Sequence, residues 1–186
     1  MKHVFAFMIF IVASSSLIAQ NPAFITGGLS VLGGRDQTSE EATILPSLTL
    51  MPGIKFFDKG DFCLLVAAPI SIGVSDNDGD YYLGMDLPLT LNMNVGYGFT
   101  DHSHNRAGFF AGGGLAYHNS YNESYDWNGL VTTNHLRFTG YLIQTGVTFR
   151  HKKNKREGMM IRLSWLSQYP DHKKNVLGLG LIACLE

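Results

Sequence analysis

The sequence predicts an all-β chain, an eight-stranded antiparallel up-and-down transmembrane β-barrel that follows a cleaved signal peptide. Three observations carry the prediction. Apolar residues recur with a period of two along most of the chain. Charge is scarce, 16% of 186 residues against the roughly 25% of an average soluble domain, and it gathers between the periodic segments. The mean hydropathy is only +0.05, far below that of a helical membrane protein, although 45% of the residues are hydrophobic. A formal net charge of -1 offers no general basic surface for a polyphosphate backbone, which argues against nucleic acid as a partner.

The N-terminus carries an export signal. Lys2 and His3 precede an apolar run from Val4 to Val12, and Ala13, Ser14 to Ser16, Leu17, Ile18 and Ala19 form a small-residue exit. The 16 residues from Val4 to Ala19, interrupted by serines, fall short of the roughly 20 needed to cross a bilayer as a helix. Residues 1–19 are therefore read as a signal peptide and residues 20–186 as one barrel domain. Downstream the longest strictly apolar stretch is Phe62 to Ile70, nine residues, which excludes a transmembrane helix there.

The segments then follow in order. Ala23 to Val31 places Ile25, Leu29 and Val31 against Thr26, Gly28 and Ser30; Thr43 to Phe56 places Ile44, Leu48, Leu50 and Ile54 against Thr43, Ser47, Thr49 and Lys55. Phe62 to Val74 alternates around Cys63, Ala67, Ser71 and Gly73. From Tyr81 to Phe99 every odd position is apolar or aromatic, while the even ones are mostly small or polar. Ala107 to Tyr117 keeps Phe109, Ala111, Leu115 and Tyr117 in phase. In Leu136 to Phe149 the pair Leu136 and Phe138 is out of phase with Tyr141, Ile143, Val147 and Phe149, which predicts a bulge near Gly140. Met159 to Trp165 and Leu177 to Leu185 complete eight strands. Asp58 to Asp61, Asp101 to Arg106 and His151 to Gly158 are short connections, whereas Gly33 to Ala42, Ser75 to Asp80, His118 to Asn134 and Ser167 to Asn175 are generally longer and more irregular, as in a barrel whose two ends face different surroundings. An antiparallel sandwich would alternate in the same way.

The charges decide which face is outside. Of 28 charged residues after the leader, only Lys55, Asp86, Arg137, Arg150 and Arg162 fall inside the predicted strands. A soluble lipocalin-like barrel binding an apolar ligand would carry Lys and Glu on its outer face. Here the less apolar face carries Gly, Thr, Ser and Asn, which suit a cramped eight-stranded lumen, so the apolar face belongs in lipid. Aromatic residues form two belts, with Phe56, Phe57, Phe62, Tyr97, Phe99, Phe109 and Phe149 near the short turns and Tyr81, Tyr82, Tyr117, Trp165 and Tyr169 near the long loops. In strand count and pattern the chain resembles the small eight-stranded outer-membrane barrels of Gram-negative bacteria, the OmpA-transmembrane, OmpX and OmpW type of porin-family barrel. The resemblance implies a place in the outer membrane, with contacts to membrane lipid, lipopolysaccharide and the insertion machinery. It also implies a structural, adhesion or narrow-pore role exercised through the long loops. The family usually ends on an aromatic residue, whereas this sequence ends Cys184, Leu185, Glu186.

Several residues invite chemistry. Asp86 and Arg162 both lie on the polar face, and interior charges need partners, so they are expected to meet across the lumen near Asn92, Asn94 and Gln144. His118, Ser120 and Glu123 resemble the triad of lipid A deacylase barrels, an alternative in which His118 activates Ser120 towards an ester. The phase of the strand, however, turns His118 towards the lumen, and the plainer reading is a Tyr- and Asn-rich surface loop. Within His118 to Asn134, Tyr121, Tyr125 and Trp127 make the best candidate surface for an extracellular protein or glycan. Asp76 to Asp80 lacks the Gly and Glu of a calcium loop and reads as an Asp-Gly hairpin turn. His102 and His104 stand without further obvious ligands, so neither a metal site nor a cofactor is expected. Cys63 and Cys184 are expected on strands three apart, too distant for a disulfide.

Overall fold

The computed structural model describes residues 23–36, 42–77, 80–99, 103–125, 131–150, 157–171 and 173–185. The expected leader, residues 1–19, lies outside them. The strands are β1 (Ala23–Asp36), β2 (Ala42–Lys59), β3 (Phe62–Ala67), β4 (Ile70–Asn77), β5 (Asp80–Gly96), β6 (Ala107–Tyr125), β7 (Val131–Arg150), β8 (Glu157–Gln168) and β9 (Lys174–Leu185). All neighbours are antiparallel, and β1 pairs with both β2 and β9, so the sheet closes on itself. Both β3 and β4 pair with β2 and β5, which makes them halves of one strand position and gives the eight-position ring that the sequence predicts.

The break between the halves falls at proline. Pairing runs to Ala67↔Thr90 and resumes at Ser71↔Asp86, leaving Pro69 across from Pro88. Neither has an N–H to give to the ladder. The Thr90 hydroxyl, pointing inward, donates to the Ala67 carbonyl at 3.0 Å beside the break.

Closure has a definite stagger. The pairings lead from Ala23 through Ile54, Val66, Leu91, Gly113, Ile143, Trp165 and Leu177 to Gly33, ten residues further along the first strand. With the usual strand rise and spacing, that stagger tilts the strands by about 40°. Such a barrel is just wide enough for its side chains to fill it.

The exposed wall is apolar. Ile25, Leu48, Leu91, Leu115, Ile143 and Leu179 are exposed along it. A surface of this kind suits hydrocarbon, and it rules out a water-facing outer wall around an apolar ligand cavity. No helix in the described residues is long and apolar enough to cross a membrane; the strands form the wall instead.

The interior is layered. Near the short turns Phe24, Met51, Leu65, Phe99, Phe110 and Met160 pack together with Cys63 and Ile182. Near the long-loop end Leu32, Leu45, Phe138, Leu142, Leu166 and Val176 form a second apolar cluster. Buried Ser, Thr, Asn, Gln and Arg side chains also line the lumen.

Three sequence expectations change. No bulge occurs near Gly140, because the β6–β7 and β7–β8 registers run through it without a shift. Leu136, Phe138 and Leu142 belong to the upper interior cluster; around Leu142 the outward Tyr141 and Ile143 are apolar too, whereas beside Leu136 and Phe138 the outward positions are His135, Arg137 and Thr139, so the apolar face of β7 changes sides without a bulge. The register shift lies instead between Lys55 and Phe57, where Phe57 turns outward against Phe62 with ring centroids 5.8 Å apart. Tyr97 and Phe99 leave the expected belt: Gly96 and Gly98 take φ of 84° and 145°, the alternation ends, and both rings are buried. Phe99 stacks at 4.7 Å on Phe24, while Tyr97 lies under the Arg150 guanidinium at 4.6 Å. Finally, His118 to Asn134 is mostly strand, since β6 continues to Tyr125 and β7 begins at Val131. Above the membrane neither face needs to be apolar, so the sequence pattern fades although the ladder continues.

Candidate functional site

Two groups of side chains stand out, one inside the barrel and one on the overhang of β6 and β7. Inside, the alternation of β5 turns Asp86, Thr90, Asn92 and Asn94 into the lumen, and all are buried. β7 supplies Gln144 and β8 supplies Arg162 to the same interior. Gln144 Nε2 donates to Thr90 Oγ1 at 3.1 Å and to Asn92 Oδ1 at 2.6 Å, and Asn92 Nδ2 also reaches Thr90 Oγ1 at 2.9 Å. Asn94 stands apart, donating to the Gly96 carbonyl at 3.2 Å. A hydroxyl chain joins the first strands: Ser47 to Ser30 at 2.7 Å, Ser30 to Thr49 at 2.6 Å and Thr49 to Ser71 at 2.7 Å.

Asp86 and Arg162 do not meet. Asp86 Oδ1 instead lies 2.6 Å from His118 Nδ1, with the two residues 6% and 2% exposed. The imidazole also packs on Phe138 at 5.1 Å. The strand register explains the change of partner. The register from Asp86 leads through His118 to Phe138, whereas Arg162 stands beside Gly146, eight positions further along β7. Asp86 acts on Arg162 only through its Coulomb field, and the guanidinium donates a long bond of 3.5 Å to Ser164 Oγ.

The triad alternative also fails in geometry. His118 and Ser120 share one face of β6, while Glu123, an odd number of positions away, lies on the other and accepts a hydrogen bond from the Tyr121 hydroxyl. With Nδ1 of His118 engaged by Asp86, Glu123 has no part in orienting the imidazole.

The overhang carries its functional side chains outward. Beyond Gly140, β7 is no longer paired with β8, while its pairing with β6 continues to Tyr125↔Val131. On this outer face Tyr121 packs against His135 at 4.9 Å and Arg137 Nε donates to Asn119 Oδ1 at 3.1 Å. The side chain of Tyr125 and the whole of Trp127 lie outside the described residues. Sequence reasoning misses Asn119, His135 and Arg137, because they belong to a run that reads as loop or as ambiguous strand; the even spacing of Asn119 from Tyr121, and of His135 from Arg137, is the signal that could find them.

The remaining candidates are simpler. Asn77 pairs with Asp80, as a tight hairpin requires, and residues 78–79 lie outside the described residues. His104 is exposed, His102 is outside the described residues, and among the described residues no group of three potential ligands could hold a metal. Cys63 on β3 and Cys184 on β9 are separated by β2 and β1.

Below the lower cluster, the segment after Gly96 closes the barrel. Thr148 Oγ1 donates to the Tyr97 carbonyl, and Arg150 Nη2 donates to the Ser103 carbonyl at 2.7 Å. Both apolar clusters and this closure fill the lumen, which disfavours a wide pore.

No protein-family model and no curated protein sequence matches the chain. Solved structures do match it. The attachment invasion locus protein Ail of Yersinia pestis superposes with a TM-score of 0.62 at 8% identity, covering 90% of this chain and 99% of Ail. The same protein in complex with the heparin analogue sucrose octasulfate gives a TM-score of 0.60 at 10% identity over the same shares. Neisserial surface protein A gives 0.55 at 9% identity, covering 88% of this chain and 96% of that one. Closed eight-position ring, apolar outer wall and these superpositions agree: the chain has the fold of the small outer-membrane β-barrel proteins.

Proposed function

We propose that this chain is exported, loses residues 1–19, and resides in the outer membrane of a Gram-negative bacterium as a closed barrel that binds an extracellular protein or glycan through the β6–β7 overhang. The observation that carries this reading is the outward face of that overhang, where Tyr121, Glu123, His135, Asn119 and Arg137 combine aromatic surface with hydrogen-bonding groups beyond the end of the β8 pairing. Rigid rings with polar edges recognise partners at low entropic cost. Ail, of the same fold, is known in complex with a heparin analogue, which supports sulfated glycan as a partner class to test first. The filled lumen supports contact over conduction.

The test is binding of intact cells displaying the protein to immobilised heparin and to host-cell matrix. Wild type binds, and the double substitution Tyr121→Ala with Arg137→Ala abolishes binding without changing heat-modifiable gel migration. Equal binding by cells with and without the protein overturns the reading, as does full binding by the folded double variant.

A further inference from the structure

A groove of about 570 Å³ lies on the outer wall of the barrel. Its architecture follows from the register. Pro88, Ala116 and Gly140 stand side by side on β5, β6 and β7 and are all buried, so this row presents bare backbone to the outside. The rows on either side point outward: Leu87, Tyr117 and Thr139 on one, Leu89, Leu115 and Tyr141 on the other. These two rows are the banks and the small-residue row is the floor. Tyr169 belongs to the same lining; its N–H donates to the Thr139 carbonyl at 3.1 Å and its ring meets Tyr141 edge-on at 5.2 Å.

The depth of the groove is set by what flanks it. Towards the short turns the outward positions of β7 continue as Ile143 and Phe149; towards the long loops they become Arg137 and His135. The groove therefore occupies the edge of the apolar band on the long-loop side. No charged residue lines it, and its polar groups are three tyrosines and Thr139. Tyrosine is the residue that places a ring in hydrocarbon and a hydroxyl at the headgroup level. One outward position above Thr139 stands Arg137, exposed and joined through Nε to Asn119.

We propose that this groove holds one acyl chain of a lipid in the long-loop leaflet, with an anionic headgroup against Arg137. The groove is continuous with the wall that faces hydrocarbon, so a lipid chain is the solvent already present, and Ala68 and Ile70 at the β3–β4 break together with the rings of Tyr117, Tyr141 and Tyr169 complete its lining. A fixed lipid of this kind shares Arg137 with the recognition surface on the overhang, but its groove lies below that surface and its retention is read without any extracellular partner.

The experiment is native mass spectrometry of the full barrel released from nanodiscs of phosphatidylethanolamine and phosphatidylglycerol. Wild type is expected to retain one phosphatidylglycerol after the annular lipid is stripped. Thr139→Trp fills the groove and lowers retention about tenfold, whereas Ile143→Trp, on the same face outside the groove, leaves it unchanged. Leu89→Trp fills the groove from the opposite bank and serves where Thr139→Trp does not fold, as judged by heat-modifiable migration. Arg137→Ala keeps a lipid but loses the preference for phosphatidylglycerol. Stripping of all lipid from wild type overturns the proposal, as does wild-type retention by folded groove-filling variants. An unchanged preference in Arg137→Ala overturns the headgroup assignment.

Discussion

The buried pair of Asp86 and His118 yields the sharpest prediction. The contact is 2.6 Å long with both residues almost fully buried, so truncating either one leaves the other without its partner. A hydrogen bond to a charged group contributes about 1.5–3 kcal/mol, and removing one member of a buried pair costs about 3–5 kcal/mol because the survivor stays desolvated. Asp86→Ala and His118→Ala are each expected to destabilise by about 3 kcal/mol, and the double variant by clearly less than their sum. The coupling should fall in the upper part of the usual 0.5–3 kcal/mol range for contacting residues. By contrast, the cycle of Asp86→Ala with Arg162→Ala should show a smaller coupling, since Asp86 reaches Arg162 through its field without a contact. The assay is reversible urea unfolding in lipid vesicles at one fixed pH, followed through fluorescence and gel migration. Additive costs for Asp86 with His118, or a larger coupling for Asp86 with Arg162, would refute the assignment.

Three further outcomes follow from the packing. Gly114→Ala should prevent barrel closure, because a Cβ there would sit 1.9 Å from the Leu89 carbonyl oxygen; Gly34→Ala, with nothing within 4 Å, should fold normally, and gel migration separates the two. Thr90→Val should cost about 1–3 kcal/mol, since it removes the acceptor shared by Asn92 and Gln144 as well as the donor to Ala67, and adding Gln144→Leu should recover part of the loss in the same unfolding assay. In planar bilayers the purified barrel should show no stable conductance steps, given the two apolar clusters across its lumen; steady openings would contradict the filled interior.

The wall of the barrel was legible in the sequence because a membrane imposes contrast between the two faces of a strand, and Tyr81 to Phe99 displays that contrast almost without interruption up to Gly96. Inward placement of Asp86, Asn92 and Arg162 followed from the same phase. Legibility failed where contrast was missing. Leu136, Phe138 and Leu142 face an apolar part of the lumen, so β7 looked out of phase. Residues 119–125 and 131–137 have water on their outer side, so strand looked like loop. The partner of Asp86 was hidden for a different reason. It depends on the register between β5 and β6, a non-local property that the stagger of the closed ring fixes and that no single strand records.

The proline break carries a consequence for how a membrane wall can be mended. In a soluble sheet, a carbonyl left over opposite proline would turn to water. On this wall the outer side offers only hydrocarbon, so compensation has to come from the lumen side, where the Thr90 hydroxyl donates at 3.0 Å to the carbonyl of Ala67, two residues before Pro69. Thr90 is in turn the acceptor for Asn92 and Gln144. The small polar side chains of the lumen thus act as an internal solvent with fixed coordinates, and the irregularities a strand can tolerate are those that this solvent happens to reach.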